Sequence, residues 1–72
     1  MTVKERILYN LANCYFHIEE IDQSQKYFEQ CLEMNDKSVD CLLGLAKIYQ
    51  KKQQYKKAIE LYDEANKLLP ED

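Results

Sequence analysis

The chain has 72 residues, a net charge of −3, and only one glycine and one proline. So little glycine and proline excludes a collagen-like chain, a proline-rich linker and most turn-rich β folds. A chain this short holds one small domain, residues 1–72, and its negative charge gives it no general attraction for nucleic acid or a membrane surface. No apolar run approaches the roughly 18 residues of a membrane-spanning helix, so we expect no membrane partner and no nucleic-acid partner.

The spacing of apolar residues predicts four helices of similar length. The first begins at a capping box formed by residues 2–5, Thr-Val-Lys-Glu, and the second runs over about residues 21–34. Asn35–Ser38 is a polar break, in which Ser38 is suited to cap the third helix. The fourth helix is expected to stop at Pro70. These elements predict two helical hairpins.

The two hairpins are the same unit twice, at a shift of 34 residues. Repeat one covers about residues 5–38 and repeat two about residues 39–72. Four apolar positions are identical after the shift, namely Leu8 with Leu42, Leu11 with Leu45, Ala12 with Ala46, and Tyr15 with Tyr49. The same shift also aligns small residues with each other, Ser24 with Ala58 and Cys31 with Ala65. Such a unit buries its apolar face by packing on a neighbour.

This pattern resembles the tetratricopeptide repeat, which carries W-x2-L-G-x2-Y, then A-x3-F and P. Repeat two reads Leu42-x2-Leu45-Ala46-x2-Tyr49, then Ala58-x3-Tyr62 and Pro70. Repeat one departs further from this motif than repeat two does. In both repeats the turn between the two helices lacks the glycine that many members have there, since Glu19 and Gln53 stand at that position. The resemblance implies an all-α fold of two helix-turn-helix hairpins, whose four antiparallel helices stack as a short right-handed superhelical α-solenoid.

The resemblance also implies a function. In this family the first helices of the repeats line a concave groove that holds a peptide, so we expect a non-enzymatic module that binds a peptide or protein segment. Repeat one would contribute Arg6, Tyr9, Asn10, Asn13 and His17. Repeat two would contribute Asp40, Leu43, Gly44, Lys47 and Lys51. Tyr9 is expected on a helix face that carries none of the apolar residues assigned to the core. The competing interpretation for all of these groove residues is that they form an ordinary solvated helix face.

The cysteines and the single histidine indicate neither catalysis nor a metal site. Cys14, Cys31 and Cys41 form no C-x-x-C pair, and one histidine leaves any zinc site without a regular ligand set. We expect reduced thiols in a cytoplasmic protein, with a nuclear location as the alternative. Cys14 corresponds to Ile48 of the other repeat, which predicts a buried, inert thiol. The chain is therefore expected to be no enzyme, with no cofactor and no metal.

Self-association is the alternative function. Repeat arrays usually end in a helix with a polar outer face, and this sequence shows no such helix. Apolar residues on the first and last helices would then lack neighbours, and exposed apolar strips mark interfaces. The candidates are Val3, Ile7, Ile59, Leu61 and Leu69. They predict a homo-oligomer, and the missing polar helix equally predicts membership of a longer repeat array.

Overall fold

A computed structural model describes residues 2–69, all of whose regular structure is helical. Helix α1 spans Val3–His17, α2 spans Ile21–Met34, α3 spans Val39–Lys51 and α4 spans Tyr55–Leu68. Consecutive helices pack against each other, and α1 also contacts α3. The predicted all-α fold of helical hairpins is therefore confirmed, whereas the expected stop at Pro70 lies outside the described residues.

Both predicted N-caps are present. The Thr2 hydroxyl oxygen accepts the Glu5 backbone N–H at 3.2 Å, which satisfies one of the donors that the start of a helix leaves free. The Glu5 carboxylate accepts the Thr2 hydroxyl at 3.1 Å and the Asn35 side-chain amide at 3.5 Å. The Ser38 hydroxyl accepts the Cys41 N–H at 3.4 Å. These caps fix where α1 and α3, the first helices of the two repeats, begin.

The turns within the two hairpins, between α1 and α2 and between α3 and α4, are made without glycine, as the sequence requires. Glu19 and Gln53 adopt φ angles of 65° and 64°, a left-handed conformation that glycine adopts more easily. The Glu20 N–H reaches the Tyr15 carbonyl at 2.9 Å while the Glu19 N–H reaches the Phe16 carbonyl at 3.0 Å. This pair of bonds is a Schellman motif, and the turn at Gln53 repeats it. Its hydrogen bonds hold a conformation that the side chains disfavour.

Small residues let the helices of each hairpin approach closely. Ser24 donates a buried hydrogen bond of 2.8 Å to the Ala12 carbonyl oxygen, which ties α2 to α1. The six small positions that the repeat alignment singles out are all buried, namely Ala12, Ser24, Cys31, Ala46, Ala58 and Ala65. Their larger neighbours Phe28, Leu45 and Ile48 complete the core. Close helix packing needs small side chains at such contacts.

Two of the cysteine predictions are wrong: Cys31 and Cys41 are not reduced thiols, and Cys14 is not buried. Cys31 and Cys41 are bonded as a disulfide between α2 and α3, with their Cα atoms 6.5 Å apart. The bond forms because the Asn35–Ser38 turn brings the end of α2 beside the start of α3. A search for C-x-x-C spacing does not find such a pair, because the two cysteines are not close in the sequence. Cys14 is exposed and free, not buried. Its equivalent Ile48 is covered by the preceding hairpin, whereas no helix of the described residues covers Cys14.

Candidate peptide-binding groove

A groove opens between α1 and α3, the first helices of the two repeats. It encloses a cavity of about 140 Å³. Its lining residues come mostly from these two helices and are Tyr9, Asn13, Phe16, His17, Phe28, Asp40, Leu43, Gly44 and Lys47. The groove therefore combines a mainly apolar interior with amide, imidazole, carboxylate and ammonium groups at its rim.

Gly44 and Phe28 form the back wall of the groove. A Cβ atom added at Gly44 would lie 2.7 Å from Cδ1 of Phe28 and closer still to two other atoms of that ring. Phe28 is buried in the core and belongs to α2. The missing side chain of Gly44 thus makes room for an aromatic ring of the second helix, which stays buried behind the cavity wall between the two first helices.

Six of the predicted peptide-binding residues line this cavity together: Tyr9, Asn13, His17, Asp40, Leu43 and Lys47. Gly44, expected from the same resemblance, also lines it. Arg6 and Asn10 are exposed and do not line the cavity. The expectation that Tyr9 lies off the core is wrong, because its ring packs edge-to-face on Phe28 with centroids 6.0 Å apart.

Sequence reasoning missed Phe16 and Phe28. Phe16 follows Tyr9 by seven residues and Asn13 by three, a spacing that places all three on one helix face. Its position could therefore have been inferred from the helix alone. Phe28 could not, since its access to the groove depends on how α2 packs behind Gly44.

The charges along α3 are opposite at its two ends. Asp40 lies in the first turn and Lys51 in the last turn, with Lys47 between them on the cavity wall. Lys51 does not line the cavity, but its ammonium group lies 5.9 Å from the centroid of the Phe16 ring and 3.3 Å from the Glu19 carboxylate. The groove can therefore accept a basic group near one end and an acidic group near Lys47.

The residues predicted for self-association lie in two kinds of environment. Val3, Ile7, Ile59 and Leu69 are exposed. Leu61 is half-buried and packs on the core, so it is not part of an uncovered strip.

Within residues 2–69, no group of three or more histidine, cysteine or acidic side chains could hold a metal ion. No helix in the same range is both long and apolar enough to cross a membrane.

The family model of the tetratricopeptide repeat matches residues 4–70. This match covers nearly the whole chain, so the chain belongs to the tetratricopeptide repeat family. Among curated proteins, none matches the chain at a significant level. Tetratricopeptide repeats generally mediate protein–protein interactions and are typically not enzymes.

Proposed function

We propose that the groove between α1 and α3 binds a peptide segment of a partner protein, without catalysis. The observation that carries the proposal is the cavity itself, which both repeats line and whose back wall is formed by Gly44 and Phe28. Binding sites commonly pair an apolar interior with a few placed polar groups. Here Asn13 supplies both a donor and an acceptor for a peptide backbone.

The size of the cavity favours one bulky side chain as the anchor of the peptide. Cavities of about 150 Å³ hold a benzene molecule, and the groove encloses about 140 Å³. An aromatic or branched aliphatic side chain would contact Phe16 and Leu43, and anchors of this kind carry much of the affinity at interfaces. An acidic residue beside the anchor would lie near Lys47.

Selection from a random peptide library tests this proposal. The longest dimension of the molecule is 33 Å, which about ten extended residues span, so displayed decapeptides are the appropriate probe. Peptides that bind are then measured by fluorescence anisotropy against the wild-type chain and the variants Asn13→Ala and Lys47→Glu. We expect each variant to weaken binding about tenfold or more, which corresponds to about 1.4 kcal/mol.

Lys56→Glu is the matched control. Lys56 is an exposed lysine on α4, away from the groove, so the same charge reversal should leave peptide binding unchanged. Tyr9 is unsuitable as a test position because it also packs on the core. If selected peptides bind equally to the Asn13 and Lys47 variants, or if no peptide is selected over background, the groove is not the binding site.

The cellular location stays a prediction. A cytoplasmic location, with the nucleus as the alternative, would keep the chain in a reducing compartment. Disulfides are rare in such compartments, so a persistent Cys31–Cys41 bond weighs against that location. Alkylation of the protein directly in cell lysates, followed by mass spectrometry, would measure whether these two cysteines are reduced where the protein resides.

A further inference from the structure

The contact between α2 and α3, which we call the internal joint, joins the two repeats. At one end of it Cys31 is bonded to Cys41. At the other end the Lys52 ammonium group lies 3.1 Å from the Asp22 carboxylate and also donates to the Gln25 side-chain oxygen. Because the repeats are equivalent at a shift of 34 residues, every residue of this joint has a counterpart on the outer face of α1 or α4.

The residues of α1 that correspond to the α3 side of the internal joint are exposed. Cys41 and Ile48 are 0% exposed in the internal joint. Their equivalents on α1 are Ile7, which is 58% exposed, and Cys14, which is exposed. Helical spacing extends this face into what we call the donor strip, which consists of Val3, Ile7, Asn10, Cys14 and Ile18, all exposed.

The counterpart of the α2 side is uncovered in part. The α2 residues in contact with α3 are Asp22, Gln25, Phe28 and Cys31, and their counterparts are the exposed Lys56 and Ile59, the half-buried Tyr62 and the buried Ala65. Helical spacing extends this face to further residues, and what we call the acceptor strip consists of Tyr55, Ile59, Tyr62, Asn66 and Leu69, the last lying just past the end of α4. Tyr55, Ile59 and Leu69 are large and exposed. Six of the eight exposed large hydrophobic residues of the described chain therefore lie on the two strips, which is more than scattered surface residues would give.

We propose that the chain assembles head to tail, with the donor strip of one copy seated on the acceptor strip of another in the geometry of the internal joint. The matching of the two strips favours a second copy of this chain over an unrelated partner. Where the internal joint pairs Lys52 with Gln25, the joint between copies pairs Ile18 with Ile59, and both isoleucines are more than half exposed in the single chain. The polar pair is thus replaced by an apolar pair, while Asp22, the other partner of Lys52, is replaced by the exposed Lys56.

The two remaining pairs of the joint fit less directly. Ile7 of one copy takes the place of Cys41 and lies over Ala65, which takes the place of Cys31 but is already buried within its own hairpin. At the position of Gly44 the incoming copy carries Asn10, which faces Tyr62 in place of Phe28. The half-buried Tyr62 ring must turn aside there, and its hydroxyl can then hydrogen-bond the Asn10 amide.

This assembly is open-ended. The donor and acceptor strips are different surfaces, so the contact is heterologous and each added copy leaves one strip free at each end. One helix seated on one hairpin is a small interface, so the association is weak and depends on concentration. The proposal does not rest on peptide binding and can fail or hold independently of the groove.

Sedimentation equilibrium of complementary variants tests the proposal. Cys14 stays unchanged because it belongs to the donor strip, and non-reducing electrophoresis of each sample checks that no disulfide joins two copies. Ile18→Glu disables the donor strip and Ile59→Glu the acceptor strip, and both positions are exposed enough for the fold to tolerate a charge. We expect the parent to exceed 8.6 kDa and its mass to rise past the dimer over about a hundredfold range of concentration, while each variant alone stays monomeric.

The mixture of the two variants is the decisive sample. Each variant retains one intact strip, so an equimolar mixture should form a dimer and stop there. Met34→Glu, an exposed apolar position outside both strips, is the matched control and should associate like the parent. A parent that remains monomeric throughout overturns the proposal. A mixture that stays monomeric while the parent associates overturns it too, because the contact would then not be head to tail. Circular dichroism of every variant confirms that it is folded.

Discussion

Replacing Gly44 by alanine tests whether this glycine is required by the ring behind it. Gly44 lies inside α3 and is buried. In an unobstructed helix interior, alanine is more stable than glycine by about 1 kcal/mol. At this position the new Cβ would lie 2.7 Å from Cδ1 of Phe28 and closer to Cε1 and Cζ. The helix preference and the steric contact therefore act in opposite directions.

The steric contact should prevail. Phe28 is 1% exposed and packs against Tyr9, so its ring cannot turn into free space. Adding a methyl group to such a packed core costs about 1–3 kcal/mol. Subtracting the helix preference of about 1 kcal/mol leaves a net loss of about 0–2 kcal/mol, with a midpoint of about 1 kcal/mol. For a domain of this size that lowers Tm by about 4–8 °C.

The repeat supplies the matched control. Asn10 is the equivalent of Gly44 in repeat one and is exposed on α1, where no ring of the described chain opposes it. Thermal unfolding by circular dichroism, at concentrations low enough to avoid association, should show Asn10→Ala to be more stable than Asn10→Gly by about 1 kcal/mol. Gly44→Ala should show the opposite sign. If alanine stabilises both positions equally, the contact with Phe28 does not determine the residue at position 44.

Two further changes test the disulfide of the internal joint and the left-handed turn at Gln53. The Cys31–Cys41 bond closes a segment with a sequence separation of 10, and loop-closure entropy gives such a link about 3 kcal/mol of stability. A reductant should therefore lower the Tm of the wild type and leave that of the Cys31→Ala/Cys41→Ala variant unchanged, and an insensitive wild type would contradict the bond. Gln53→Gly should raise Tm, since a side chain at φ 64° costs about 1–2 kcal/mol. A lower Tm would show that Gln53 does not adopt this conformation.

Local features of the fold were predictable because they depend on neighbouring residues in the chain. Thr2 and Ser38 cap helices through bonds that reach only three residues along the sequence. The left-handed turns at Glu19 and Gln53 follow from their place in the repeat. Seven of the nine residues that line the groove were expected, because the family resemblance assigns the groove to the first helices of both repeats.

The burial of a residue that depends on which further helix packs over it was not predictable. Cys14 and Ile48 occupy the same repeat position, but only Ile48 has a hairpin packed over it. Leu61 is half-buried although the sequence suggested an uncovered residue. Equivalent residues of a repeat differ in burial whenever their neighbours differ, and the alignment of the repeats does not contain that information.

By itself, the sequence determined four helices, their caps, the repeat and the small residues at which the hairpins close, because periodicity and short-range hydrogen bonds set all of these. The tertiary structure alone decided that Cys31 meets Cys41 and that the Phe28 ring reaches the groove past Gly44. It also decided which apolar residues of α1 and α4 stay uncovered. These three features depend on distances between separate helices, which are fixed only when the hairpins pack.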